Sequence, residues 1–211
     1  MKTMAIRTKC FVAVLALAVV TGCASVMSDA EYRKRAIDLM NGDFKARGQA
    51  GLNRLTQDEA LAACSRAPAD GPLPKARAEA IEKANFALVK FPADGKVLGD
   101  WREGEKIAQS GVGMQFNDDP KQPAGGNCYA CHQIAPQEVS FGTIGPSLLS
   151  YGKVRGNTAA IQQYTYGKVY NAQAYTACSN MPRFGHNAIL TEAQIKHLVA
   201  LLLDPESPVN R

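Results

Sequence analysis

The 211-residue chain carries a formal charge of +5 and six cysteines. Three of the positive charges, Lys2, Arg7 and Lys9, lie in an N-terminal stretch without a single acid, which leaves the rest of the chain near +2. So weak a balance gives no basis for nucleic-acid binding and at most a local basic rim for steering a partner.

The N-terminus reads as an export signal over residues 1–22. The basic stretch is followed by an apolar run over residues 10–20, too short to span a bilayer. Val20-Thr21-Gly22-Cys23 has the pattern of a bacterial lipobox, cut before Cys23 so that its thiol carries lipid. Ala24 and Ser25 would then direct the anchored chain to the outer membrane. Gly22 and Ala24 are also small enough for ordinary signal cleavage after Ala24, which would yield a soluble periplasmic protein.

Residues 23–95 read as a helical extension. A short helix is expected over residues 31–39. Thr56-Gln57-Asp58-Glu59 has the form of a capping box opening a second, with Leu55 and Leu61 shielding its first turn. Pro68, Gly71, Pro72 and Pro74 are expected to break that helix, and residues 76–89 form a third. The apolar content is thin and alanine-rich, so these helices are expected to pack on the rest of the chain or on a partner.

Residues 96–211 have the size of one domain. Asp100 is placed to cap a helix carrying Trp101 and Ile107, with Gly104 in its middle. Glycine there costs helix stability, and close approach of another helix is a reason to keep it. Then comes Cys128-Tyr129-Ala130-Cys131-His132. Two thiols three positions apart can each add to a vinyl group of haem, and the following histidine reaches the iron as proximal ligand. A thioredoxin-like site would have a strand before the motif, where Gly125-Gly126-Asn127 stands; a zinc ribbon would need a second C-x-x-C. The motif therefore implies one covalently bound haem c.

Gly145-Pro146 follows a dozen residues later. By itself it is a turn, but this order of motifs resembles class I cytochromes c, which implies that Gly145 and Pro146 pack on the proximal side and that the proline carbonyl accepts the Nδ1–H of His132. A middle helix is expected over residues 158–171, its Tyr164, Tyr166 and Tyr170 packing the haem pocket. Met181, in Asn180-Met181-Pro182-Arg183-Phe184-Gly185, is the best candidate for a sixth iron ligand. His186 is a rival, Met114 and His197 read as core or surface residues, and an open sixth site is the remaining option. Thr191-Glu192-Ala193-Gln194 is a second capping box, opening a helix with the stripe Ile195, Leu198, Val199 and Leu202 and closed by Pro205. The sequence does not choose among Lys153, Arg155 and Arg183 as partners for the haem propionates.

With Cys10 in the signal, Cys23 lipidated or removed, and Cys128 and Cys131 on haem, Cys64 and Cys178 are left. In an oxidising compartment they most simply form one disulfide. Closing so long a loop is worth ~4–5 kcal/mol by chain entropy. The alternative is a free reactive thiol.

Terminal helices crossing at a glycine around C-x-x-C-H resemble the all-α class I cytochrome c fold, here with a helical N-terminal extension. C-Y-A-C-H-Q, F-G-T-I-G-P-S-L, N-M-P-R-F-G-H-N-A-I-L-T-E-A-Q-I-K and L-L-L-D-P-E-S-P-V-N together resemble the SoxX family over roughly residues 97–210. SoxX is the monohaem subunit of the SoxAX complex, an L-cysteine S-thiosulfotransferase that oxidatively couples thiosulfate to a cysteine of the carrier SoxYZ. The resemblance implies a SoxA-type partner that holds the reacting centre. This chain would accept the electrons and pass them to a small cytochrome c, through Cys128, Cys131, His132 and Met181 and with no catalytic residue of its own. The lipobox departs from the soluble complex usual in that family. A freestanding exported electron carrier of another respiratory pathway needs the same haem ligands and no tight partner.

Overall fold

The structure, a computed structural model, describes residues 27–211; the signal segment, Cys10 and Cys23 lie outside them. The described residues are helical, with seven α-helices, three short 3-10 turns and a single isolated β-bridge between Arg47 and Ala50. The chain divides into two compact units after Phe44, and not near residue 95 where the composition changes.

The described part of the first unit is one helix, α1 (Asp29–Asp43). Ser28 caps it in a full capping box: Glu31 N–H donates to Ser28 Oγ at 3.3 Å, and Ser28 N–H donates to the Glu31 carboxylate at 2.7 Å. That cap starts the helix two residues ahead of the expected position. None of its residues is buried.

The second unit is built around α4 (Trp101–Gln109) and α7 (Glu192–Leu203). Both start on caps that the sequence announces. Asp100 accepts from Arg102 N–H at 2.8 Å, and Thr191 and Gln194 form a complete capping box. The α7 stripe is almost wholly buried, from Ile195 to Leu203, and Ala108 of α4 is inaccessible against it. At the crossing Gly104 lies directly on the His197 carbonyl and Leu201 Cβ, where a side chain would have no room. Two long-range bonds fix the approach. Gly99 N–H donates to Lys196 O at 3.0 Å, and Asp100 N–H donates to His197 Nδ1 at 2.8 Å. His197 is thus a structural acceptor that fastens the start of α4, rather than the surface residue that helix periodicity suggests.

Between them lie α5 (Tyr151–Arg155) and α6 (Ala159–Tyr170), the latter capped by Thr158, the residue with which the expected middle helix begins. The final residues return to seal α7. Ser207 Oγ donates to Leu201 O, Asn210 Nδ2 donates to Leu202 O and Asp204 O, and Asn210 Oδ1 accepts from Gly152 N–H. The tail thereby satisfies carbonyls that a helix end leaves without partners.

The segment 45–95 belongs to this same unit. α2 (Glu59–Asp70) and α3 (Lys75–Phe86) share a small core of Ala60, Ala63 and Ile81 with Ala177. Two local expectations change. Thr56 does not cap α2, because the 3-10 turn Leu52–Leu55 closes onto its N–H; Asp58 takes that role, accepting from Leu61 N–H at 2.8 Å. Nor does Pro68 break α2. It falls in the last turn, where a missing N–H costs a single helical bond, and the helix ends at Gly71 in the left-handed region (φ +91°). The disulfide Cys64–Cys178 is present, joining residues 114 apart with Cα atoms at 5.4 Å.

Gly104→Ala is expected to destabilise the protein by about 1–3 kcal/mol in denaturant titration, although alanine is the better helix former by about 1 kcal/mol. A neutral or stabilising result would mean that the helices do not meet at Gly104.

Candidate haem site

The motif is shaped by backbone before any cofactor is considered. Asn127 adopts a left-handed conformation (φ +46°) and starts the 3-10 turn Cys128–Ala130. Cys131 N–H and His132 N–H both donate to Cys128 O, at 3.1 and 2.9 Å. In a 3-10 turn residues three apart eclipse, so Cys128 and Cys131 share one side of it. Neither is in a disulfide. Burial, with Cys131 and Glu105 adding to it, pushes the Cys128 thiol up to about 12. A thiol held that firmly in its neutral form is unsuited to disulfide exchange. Among the described residues no three His, Cys, Asp or Glu side chains gather as a metal cluster.

The turn is anchored on both flanks. Gly126 N–H donates to Ile107 O at 2.8 Å and Asn127 N–H to Ser110 O at 2.9 Å, which hang the motif from the end of α4. Tyr129, 6% exposed, donates its hydroxyl to the Glu105 carboxylate at 3.0 Å. Burial and that carboxylate push the phenol well above its ordinary range. This bond, invisible to motif reading, fixes the variable position of the C-x-x-C to α4.

Residues 142–148 wrap the other side. Gly142 N–H donates to Tyr129 O, Gly145 N–H to Cys131 O and Leu148 N–H to Gln133 O, at 2.8, 2.8 and 2.7 Å. Gly145 lies flush on the His132 imidazole, where a Cβ would strike the ring. His132 Nδ1 stands 2.7 Å from Pro146 O. A carbonyl only accepts, so the proton of this contact sits on Nδ1 and the Nε2 lone pair is left for a metal. The hydrogen bond expected of the Gly-Pro turn is therefore present.

Met181 lies in an irregular stretch between α6 and α7, half-buried against the main core. Phe184 is buried beside it, Gly185 packs on the Tyr170 ring, and the N–H groups of Gly185 and His186 both donate to Tyr170 O. His186 stands near Arg183 and Asp58: burial first, then the Arg183 charge, hold its pKa down, with Asp58 opposing. Met114 sits in a left-handed turn ahead of the motif, with its carbonyl bound by Arg54.

The other expected pocket residues divide. Tyr170 borders the Met181 loop, whereas Tyr166 is fully buried and packs on Phe91 at 5.7 Å, donating its hydroxyl to Lys90 O. Tyr164 packs edge-on against Tyr175 at 4.9 Å. These two rings serve the junction with segment 45–95 and the loop after α6. Arg183 is 9% exposed and paired with Asp58 at 2.7 Å, so it is committed away from a propionate. Arg155 lies over the rings of Tyr151 and Tyr164, and Lys153 is exposed.

The chemistry of the donor set, two thiols outside any disulfide and an imidazole engaged through Nδ1, is compatible with a covalently attached haem. Cys128, Leu148, Ile161, Tyr170, Met181 and Ile189 are apolar, border the main core and are only partly covered.

Fold and site together define an all-α protein in which a C-x-x-C-H turn hangs from the end of α4, one of two crossed helices, while a disulfide ties α2 to the loop after α6. No protein-family model matches the chain. It is 39% identical over 163 residues to an uncharacterized lipoprotein of Aquifex aeolicus (strain VF5), covering 74% of this chain and 73% of the relative. At that similarity and coverage, the chain belongs to the family of this lipoprotein.

The Asp58–Arg183 pair also sets a pH dependence. Burial would raise the Asp58 carboxyl, but the Leu61 N–H and the Arg183 guanidinium outweigh it and hold it below the usual range. A carboxyl lowered in the folded state stabilises at every pH above its unfolded value of about 3.9, and the contribution disappears as pH falls through the folded-state value. Denaturant titrations at about pH 7 and pH 3 are expected to show a smaller acid loss for Asp58→Asn than for the wild type.

Proposed function

We propose that this chain is the monohaem c-type cytochrome of a SoxAX-type complex, adopting a class I cytochrome c fold. The observation that carries this reading is the His132–Pro146 hydrogen bond at 2.7 Å, directly beside two unpaired cysteines on one turn. It fixes the imidazole tautomer and raises the basicity of Nε2 as a ligand. Cys128 and Cys131 would attach the haem, Gly145 and Pro146 would pack against it on the His132 side, and His132 and Met181 would hold its iron. When bound, the haem supplies one-electron redox chemistry at a potential raised by methionine ligation.

In this reading the chain's residues orient and bury the group and perform no bond chemistry. The Cys128–His132 turn sets the proximal side, and the loop carrying Met181 occupies the sixth position against other ligands. A thiosulfate-oxidising SoxA-type partner acting on SoxYZ delivers the electrons, because a Met/His haem lies above a thiolate-ligated one. They leave to a small cytochrome c. The pattern Val20-Thr21-Gly22-Cys23 and the relative's description as a lipoprotein support lipid attachment at Cys23 and a periplasmic location at the outer membrane. No helix among the described residues is long and apolar enough to cross a membrane.

The test is to mix the oxidised haem protein with thiosulfate and SoxYZ, with and without a SoxA-type partner, and follow its visible spectrum. Reduction only in the presence of the partner is the expected outcome. Reduction without it would move catalysis onto this chain, and no reduction in either case would sink the thiosulfate assignment.

A further inference from the structure

The stretch carrying Met181 has no regular secondary structure, yet a ligand to iron must hold its place within fractions of an ångström. Its restraint comes from α2. Three residues before Met181, Cys178 is bonded to Cys64; two residues after it, Arg183 donates to Asp58 at 2.7 Å. Asp58 caps α2 and Cys64 lies within it, so the two tie points are separated by a helical rise of about 9 Å. The stretch is thus tethered to one helix on both sides of Met181, through residues 178 and 183. Its two ends face different cores. Ala177 packs with Ala60, Ala63 and Ile81, whereas Met181 and Phe184 pack on the main core. α3 adds two more ties: Ala177 N–H donates to Glu82 at 3.1 Å, and Asn171 Nδ2 donates to Asn85 Oδ1 at 2.9 Å.

We infer that α2 is a splint for the distal ligand, in which Asp58, Arg183, Cys64 and Cys178 act as positioning residues that keep Met181 on the haem iron. The inference rests on the haem reading above. It gives segment 45–95 a role within the electron carrier, separate from any partner surface.

The test uses the complete haem-loaded protein in its ferric form, with imidazole as a competing external ligand. An outside ligand enters only when Met181 is off, so its apparent affinity scales with the open fraction. The double variant Cys64→Ala/Cys178→Ala is expected to raise imidazole affinity about tenfold and Asp58→Asn about threefold. Both should weaken the near-red absorption band of methionine-ligated ferric haem. Asp58→Asn keeps a competent helix cap, so it isolates the pairing with Arg183 even if the cysteine variant fails to accumulate. Glu59→Gln, also on α2, breaks the pair with Arg77 of α3 and is expected to leave imidazole affinity unchanged. Met181→Ala sets the upper limit. If Met181→Ala binds imidazole much more tightly than the wild type while the α2 variants match the wild type, even with a lowered melting temperature, the splint is wrong and the ligand assignment stands. If Met181→Ala itself matches the wild type, the ligand assignment fails and the splint with it.

Discussion

Everything the site needs is referred to one contact, the place where α4 and α7 touch backbone to backbone at Gly104 and His197. A side chain in place of the glycine hydrogen would push the helices apart, and the bond from Asp100 N–H to His197 Nδ1 locks the approach at the start of α4. From this crossing the chain leaves in two directions. The end of α4 carries the Cys128–His132 turn through the Ile107 and Ser110 carbonyls. The start of α7 receives the Met181 loop, and Gln194 at that start also binds Ala124 O, just ahead of the motif. The C-x-x-C-H turn and the loop carrying Met181 are thereby both attached to a single packed pair of helices.

A second constraint is laid over the first. Segment 45–95 is held to both loops that the crossing leaves irregular. Its early part meets the turn before the motif, where Arg54 binds Met114 O, Gln49 binds Asp118 O and Arg47 lies 4.4 Å from the Phe116 ring. Its helices meet the loop after α6 through the disulfide and the Asp58–Arg183 pair. The covalent bridge is the stronger restraint, and the ion pair, with Arg183 buried and Asp58 exposed, adds to it. Loops that would be mobile in isolation become fixed parts of a rigid unit.

What was legible in the sequence was local or countable. The caps at Asp100 and Thr191 are read from residues within one turn, and both are present. The Cys64–Cys178 bridge followed from accounting for the other cysteines. The Pro146 carbonyl could be anticipated because its spacing from His132 belongs to the motif. Illegible features have distant partners. Thr56 looked like the cap of α2, but Asp58 is also wanted by Arg183, 125 residues away. His197 reads as a surface residue until Asp100 N–H, 97 residues earlier, is placed against it. Nothing local reveals that Tyr129 bonds Glu105, or that the polar tail residues Ser207 and Asn210 close the end of α7. The unit boundary after Phe44 was hidden for the same reason, since thin helices become part of a core only through such contacts.

The central claim is that the Cys128–His132 turn holds a haem by two thioether bonds, and its most direct test is covalent. The full chain should be exported from a host able to attach c-type haem, denatured, and weighed as an intact polypeptide beside the Cys128→Ala/Cys131→Ala variant. The account predicts that the denatured wild type retains the mass and the absorbance of one haem and that the variant retains neither. A wild-type chain with the mass of the bare processed polypeptide would contradict it.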